Sequence, residues 1–234
     1  MMLRTIEPEW LDELPADDVR AMRSRRDLKR INALMMNSAL VARELRRAFP
    51  GAPPRVIAEI GAGDGLFMLQ VARKLPQWRA IDVILLDRQR LVSPATTAKF
   101  AALGWRPRAV TADACTWLAQ PAAVEPDVIV ANLFLHHFDA AGLSALLRGL
   151  AQRTRAFIAC EPRRSRPALL GSHLLALIGC NDVTRHDAVV SVRAGFRDHE
   201  LSAAWPDRAA WILAEQPYAL FSHGFAATRR DRAA

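Results

Sequence analysis

Residues 57–67 read I-A-E-I-G-A-G-D-G-L-F, with glycines at 61, 63 and 65 directly after an apolar run. Glycine lets a chain turn tightly and approach a ligand without a Cβ collision. A carboxylate, Glu59, stands two residues before the first glycine, and Asp64 lies within the turn. Two carboxylates at such a mouth repel a pyrophosphate but tolerate a ligand that carries positive charge. The dinucleotide pattern G-x-G-x-x-G needs a glycine at position 66, where Leu66 stands, and no G-K-[ST] follows. The turn is built for a nucleoside-like ligand without phosphates.

Other acids and imidazoles fall at the ends of apolar runs. Asp87 closes V-I-L-L-D-R, where an acid can accept hydrogens from both ribose hydroxyls. Asp113 closes V-T-A-D-A-C. Either acid can also cap the next helix, a role compatible with ligand contact. Asp64 is a common turn former. His136 and His137 lie in L-H-H-F, and His186 and Asp187 in T-R-H-D-A, with Arg185 and Arg193 nearby. An imidazole titrates near neutral pH, so His186, Asp187 and His137 are the candidates for general acid–base work. His136, His173 and His199 are rivals. In an extended segment adjacent side chains point oppositely, so Asp187 need not orient His186; the alternative is a loop anchor. No metal site is expected, because no third ligand stands at helical spacing near His136 and His137.

The run E-I-G-A-G-D-G resembles the first motif, E/D-x-G-x-G-x-G, of class I S-adenosylmethionine-dependent methyltransferases. Their cofactor is a sulfonium with an ammonium group and no phosphate, which agrees with the carboxylates. The resemblance implies that Gly61, Ala62, Gly63 and Gly65 accommodate the methionine and ribose part, and that Glu59 supports the loop and helps orient the ammonium. It places Asp87, with Arg88 beside it, at the ribose, and Asp113 with the Ala114 N–H at the adenine. Asn132 and Leu133, in D-V-I-V-A-N-L-F, fall at the reactive edge, and F-I-A-C-E-P supplies the fifth motif. The likeness covers roughly residues 50–165. It implies S-adenosyl-L-methionine as cofactor and methyl transfer to a small-molecule acceptor, a hydroxyl of a phenolic, quinone-like or polyketide-type compound. RNA or protein methylation, and a cofactor-binding module without catalysis, are the alternatives.

Positioning such residues requires an α/β fold. Apolar runs at 55–60, 81–86, 108–112, 127–133 and 156–160 alternate with stretches long enough for helices, as at 66–75, 93–103 and 140–153. That pattern predicts a doubly wound, mostly parallel, seven-stranded Rossmann-like sheet covered on both faces. Strands at 210–215 and 220–227, joined around 216–218, would add an antiparallel C-terminal hairpin. Apolar positions Leu28, Ile31, Leu34, Met35 and Leu45 recur at helical spacing, so residues 1–50 read as a helical N-terminal cap. Residues 51–234 form the expected methyltransferase domain, with a substrate-binding insertion at about 161–196. An apolar helix over 168–178 belongs to that insertion; Met22, Met35, Met36, Leu174 and Leu177 suit the lining of an apolar pocket.

The 234 residues suit one domain with additions. The formal charge is +8, and every cation except Lys29, Lys74 and Lys99 is arginine. The arginines are scattered apart from clusters at 23–30, 163–166 and 229–232. No aromatics interleave with them, and no N-P-P-[FYW] follows the fourth run, so nucleic acid is demoted as a partner. A homodimer is compatible with the sequence. Three separated cysteines, no membrane-length apolar stretch and no secretory pattern point to the cytoplasm.

Overall fold

The computed structural model describes residues 2–15, 17–121 and 124–230, with side chains for all of these except 32–34. The Leu34 side chain and Arg232, both singled out above, lie outside the described residues. The chain begins with helices α1 (Trp10–Glu13), α2 (Val19–Met35) and α3 (Asn37–Ala48). Then come β1 (Val56–Ile60), α4 (Leu66–Arg73), β2 (Ile81–Asp87), α5 (Pro94–Ala102), β3 (Trp105–Thr111), α6 (Ala114–Ala119), β4 (Val128–Asn132), α7 (Ala140–Arg153) and β5 (Ala156–Pro162). The tail holds α8 (Arg166–His173), α9 (Asp182–Ala194), α10 (Glu200–Ala204), β6 (Trp211–Tyr218) and β7 (Ser222–Arg229).

The strands form one seven-stranded sheet in the order β3-β2-β1-β4-β5-β7-β6. β1 to β5 are parallel, while β7 runs antiparallel to β5 and β6 antiparallel to β7. Every residue of β1, β4 and β5 is buried. Side chains alternate across a strand, so Val56, Ala58 and Ile60 face one layer while Ile57 and Glu59 face the other. The first layer contains α7, whose Leu143, Leu146, Leu147 and Leu150 recur at i, i+3, i+4 and i+7. The opposite layer contains Leu40, Val41 and Leu45 of α3 and Met68 and Leu69 of α4. α3 is therefore part of the core, although it precedes the F-P-G-A-P-P break; α1 and α2 pack on α9 instead.

Side-chain caps explain several helix starts. Ser93, Asp139, Ser165 and Asn181 accept the backbone N–H of Thr96, Gly142, Ala168 and Thr184. Three expectations need correction. The segment of His186 and Asp187, expected to be extended, lies in the helix α9, because Asn181 caps it and Val183, Asp187, Val190 and Ala194 bury one stripe. The helix expected over 168–178 is α8 followed by a 3₁₀ turn, Leu174–Ile178, with Gly179 at φ +77° ending it. The last hairpin turns at 219–221, where Ala219 has φ +51°, and not at 216–218. Pro217 sits within β6, where an edge strand tolerates the missing N–H. Pro107 holds the corresponding place in β3 at the other edge.

Phe157 packs against Trp205 and Phe225, with ring centroids 5.6 and 6.2 Å away. Phe157→Ala is expected to lower unfolding stability by about 3–5 kcal/mol in urea titration; a loss below about 1 kcal/mol would mean that this aromatic cluster does not hold β5 to β7.

Candidate functional site

The glycine turn leaves β1 and enters α4. Gly61 and Gly63 have φ of +69° and +55°. A Cβ on Gly61 would lie 2.5 Å from Cδ2 of Phe134, so that position is closed sterically as well as conformationally. Asp87, at the end of β2, fixes the turn: its carboxylate accepts the N–H of Gly63 and of Gln89, each at 2.8 Å. Ala62 N–H donates to the Leu86 carbonyl at 2.9 Å. Glu59 lies beneath the turn, 1% exposed, and its Oε2 has no hydrogen-bond partner. Burial, then the charges of Asp64 and Asp87, push its carboxyl well above the usual range. A buried, unpartnered carboxylate is costly, so this group is set for a donor from outside the chain.

Three cavities meet here. The first, about 430 Å³, is lined by Glu59, Gly61, Ala62, Gly63, Asp87 and Asn132, with Lys29 of α2 above. The second, about 660 Å³, is lined by Asp87, Arg88, Asp113, Ala114 and Phe138. The third, about 320 Å³, has an aliphatic wall that includes Leu28, Ile31, Met35 and Leu175. Leu133 and Asp12 line all three. Leu133 holds φ +53°, a left-handed conformation that leucine adopts only under constraint; its N–H donates to the Cys160 carbonyl at 2.8 Å. Asn132 accepts from Asn37 of α3 at 3.0 Å, and Asn37 accepts from Ser222 at 2.6 Å. Asp113 both lines the second cavity and caps α6 through Thr116 N–H at 2.9 Å. Gly65 lines none of the three; it is the left-handed residue that opens α4.

The polar end of the third cavity holds Glu9, His136, His137, Asp187 and Ser191. Glu161, fully buried in β5, accepts the backbone N–H groups of Phe134, Leu135 and His136 and lies 2.8 Å from His136 Nδ1. The other ring nitrogen of His136 is 3.3 Å from Glu9, which also accepts from the Ser191 hydroxyl. Burial opposes the His136 imidazolium, yet hydrogen bonds with Glu161 and Glu9 outweigh it and raise the pKa to about 9. Glu9 is lowered to about 2, because His136 overcomes the cost of burial. Burial, and then the charge on His136, lower the pKa of His137. The missing third group near the histidine pair thus arrives from the N-terminal segment, beyond the reach of any local spacing rule.

His186 is elsewhere. Its ring stacks on Trp10 at 3.9 Å and lines a separate depression with Arg185 and His173. Its Nδ1 is 3.0 Å from Asp187, whose carboxylate accepts the N–H of Trp10 and Leu11 at 2.9 and 3.0 Å. The anchor reading fits this pair: it ties residues 10–11 to α9. Of the five apolar residues expected to line the pocket, only Met35 does so; Met22, Met36, Leu174 and Leu177 are exposed. Glu9, Leu11 and Asp12 carried no recognisable pattern in the sequence, whereas Glu161 is the acid of the fifth motif, F-I-A-C-E-P.

No family model and no curated protein matches the chain. Solved structures do. A plantazolicin methyltransferase in complex with SAH aligns over 92% of both chains, at a TM-score of 0.65 and 13% identity. An O-methyltransferase family protein from Burkholderia thailandensis aligns over 92% of this chain and 61% of its own, with TM-score 0.58 and 18% identity. Magnesium protoporphyrin IX methyltransferase from Synechocystis PCC 6803, with bound SAH, aligns over 94% and 91%, with TM-score 0.56 and 15% identity. The chain has the fold of the S-adenosylmethionine-dependent methyltransferases.

Proposed function

We propose that the protein transfers the methyl group of S-adenosylmethionine to an oxygen of a small, largely apolar acceptor. The observation that carries this reading is the unpartnered Glu59 carboxyl beneath a phosphate-averse glycine turn, one wall away from an aliphatic cavity. Glu59 would face the cofactor's ammonium group. Asp87 has further lone pairs for the ribose hydroxyls, since a carboxylate offers about four acceptor sites and two are used by backbone N–H groups. Asp113 and the Ala114 N–H would meet the adenine. Leu133, shared by all three cavities, marks the place where sulfonium and acceptor meet.

The transfer is an in-line displacement: the sulfur–methyl bond breaks as the oxygen–methyl bond forms, and a neutral thioether leaves. The hydroxyl proton departs into the polar end formed by Glu9, His136 and His137. His137 borders both the acceptor cavity and the adenine-side cavity, which makes it the imidazole best placed to face the reacting oxygen. A cavity of about 320 Å³ suits a phenolic, quinone-like or polyketide-type molecule better than a polymer chain.

Only the ionised form of Glu59 attracts an ammonium ion. Its carboxyl is raised above the ordinary range, so SAH affinity measured by calorimetry should rise with pH and fall as Glu59 takes a proton. Glu59→Gln should weaken SAH by about tenfold or more and flatten that dependence; a variant with parental affinity at every pH would remove Glu59 from the cofactor site. With labelled cofactor and a panel of phenolic acceptors read by mass spectrometry, His137→Gln should lower turnover by about 100-fold while SAH affinity holds. Full turnover in His137→Gln, or a larger loss in His186→Gln, would move the reacting end elsewhere.

A further inference from the structure

Glu9 and His136 are separated by 127 positions in sequence, yet they meet at the wall of the acceptor cavity beside His137. One ligand atom from each of the three lies within 4.8 Å of the other two. Three observations bear on what sits between them. First, the orientation of the His136 ring is fixed. Glu161 is fully buried and already accepts backbone N–H groups, so Nδ1 donates to it and Nε2 is turned toward Glu9. A carboxylate behind a histidine whose far nitrogen faces another anionic group is the usual outer support of a metal-binding imidazole.

Second, the Nε2···Oε1 separation is 3.3 Å, whereas His136 to Glu161 and His223 to Glu215 are both 2.8 Å. Charge-assisted hydrogen bonds fall near 2.7–2.9 Å, roughly the value of those two pairs. Two ligands of one tetrahedral ion, each bonded at about 2.1 Å, stand about 3.4 Å apart. The Glu9 contact is longer than those two pairs and matches the spacing of two ligands on one ion. Third, Ser191 donates to Glu9 and so orients the carboxylate toward the same point.

We propose that Glu9, His136 and His137 bind one divalent transition-metal ion, with an open coordination position directed into the acceptor cavity. Two imidazoles and one carboxylate suit Zn²⁺, Fe²⁺, Mn²⁺ or Co²⁺, and not Ca²⁺ or Mg²⁺, which prefer oxygen donors. Three protein ligands leave a place for a water or an acceptor oxygen, the arrangement of a catalytic rather than a closed structural site. An oxygen held there loses its proton more readily, which accounts for an ionic cluster at the end of an otherwise aliphatic cavity. The ion is held by the chain itself, so its binding requires neither cofactor nor acceptor and is tested without any turnover assay.

The untagged full chain, stripped with chelator, is titrated with Zn²⁺ by calorimetry, and in parallel with Co²⁺ by visible absorption. One ion per chain is expected, with Co²⁺ giving the d–d bands of a low-symmetry nitrogen and oxygen site. Glu9→Gln and His137→Gln should each weaken Zn²⁺ by at least about 100-fold. His173→Gln and His199→Gln, at exposed histidines away from the cluster, should leave the affinity unchanged. His136→Gln is the most buried change; if it fails to fold, the other two variants still decide. Absence of stoichiometric uptake would overturn the proposal and leave His136 and Glu9 as a proton-sharing pair. Uptake that survives both Glu9→Gln and His137→Gln would overturn it equally, by placing the ion elsewhere.

Discussion

A carboxylate taken out of water must be given donors, and this chain supplies them from its own backbone. Glu161 accepts three consecutive N–H groups after β4, Asp187 accepts two from α1, Asp87 two around the glycine turn, and Glu215 those of Leu201 and Ser202. Glu161 and Asp87 fix the loops that follow β4 and β1, while Asp187 and Glu215 hold the first turns of α1 and α10, whose own N-cap residues make no side-chain bond. Such bonds to charged groups contribute about 1.5–3 kcal/mol each, more than an exposed ion pair. Glu59 stands apart because its Oε2 lacks a donor among the described residues. The site follows from that contrast: neighbouring acids spend their lone pairs on holding the walls, and the one acid left short lies on the floor.

The N-terminal segment closes the site from above, and its attachments are unequal. Lys29 reaches Asp64 at 2.8 Å and Asp12 lies 4.0 Å from Arg88, but these side chains are largely in solvent and such pairs are worth no more than about 1 kcal/mol each. The firmer ties run to α9 and the β4–α7 loop. Arg4 donates to the carbonyls of Ala194 and Phe138, Asp187 holds residues 10–11, and Thr184 bonds with Ser24 and Asp27 of α2. The cover is thus hung from the side of the aliphatic cavity and rests lightly on the side of the glycine turn. On the proposed function, a cofactor that exchanges at each turnover needs only the weaker contacts to part.

Much of this was readable from the chain. The central strands announced themselves because strands buried on both faces lose polar alternation, and β1, β4 and β5 are such strands. The glycine turn and its flanking acids were readable because steric and charge rules act locally. α9 escaped notice because its buried stripe passes through Asp187, a charge at a core position, which breaks the apolar periodicity; the Asn181–Thr184 cap was the signal to follow. The hairpin turn was displaced because Pro217 reads as a breaker, and only edge position makes it acceptable within β6. The polar end of the aliphatic cavity escaped for a stronger reason. Glu9 joins His136 through tertiary packing alone, and no spacing along the chain encodes a contact of that range.

The prolines at the two rims have a consequence for how copies of the molecule coexist. Pro107 removes an N–H from β3 and Pro217 one from β6, and Arg106 and Arg108 add exposed charge beside the first. A flat, fully donating rim would be a template on which a second copy could lay a strand, the first step toward fibrous association. Pro107 interrupts β3 in its first half, whereas Pro217 stands next to the last residue of β6 and leaves Trp211–Gln216 continuous. In concentrated solution the β3 margin is therefore the poorer template for a second copy, and on the β6 margin the break shortens the stretch that a neighbour could pair with.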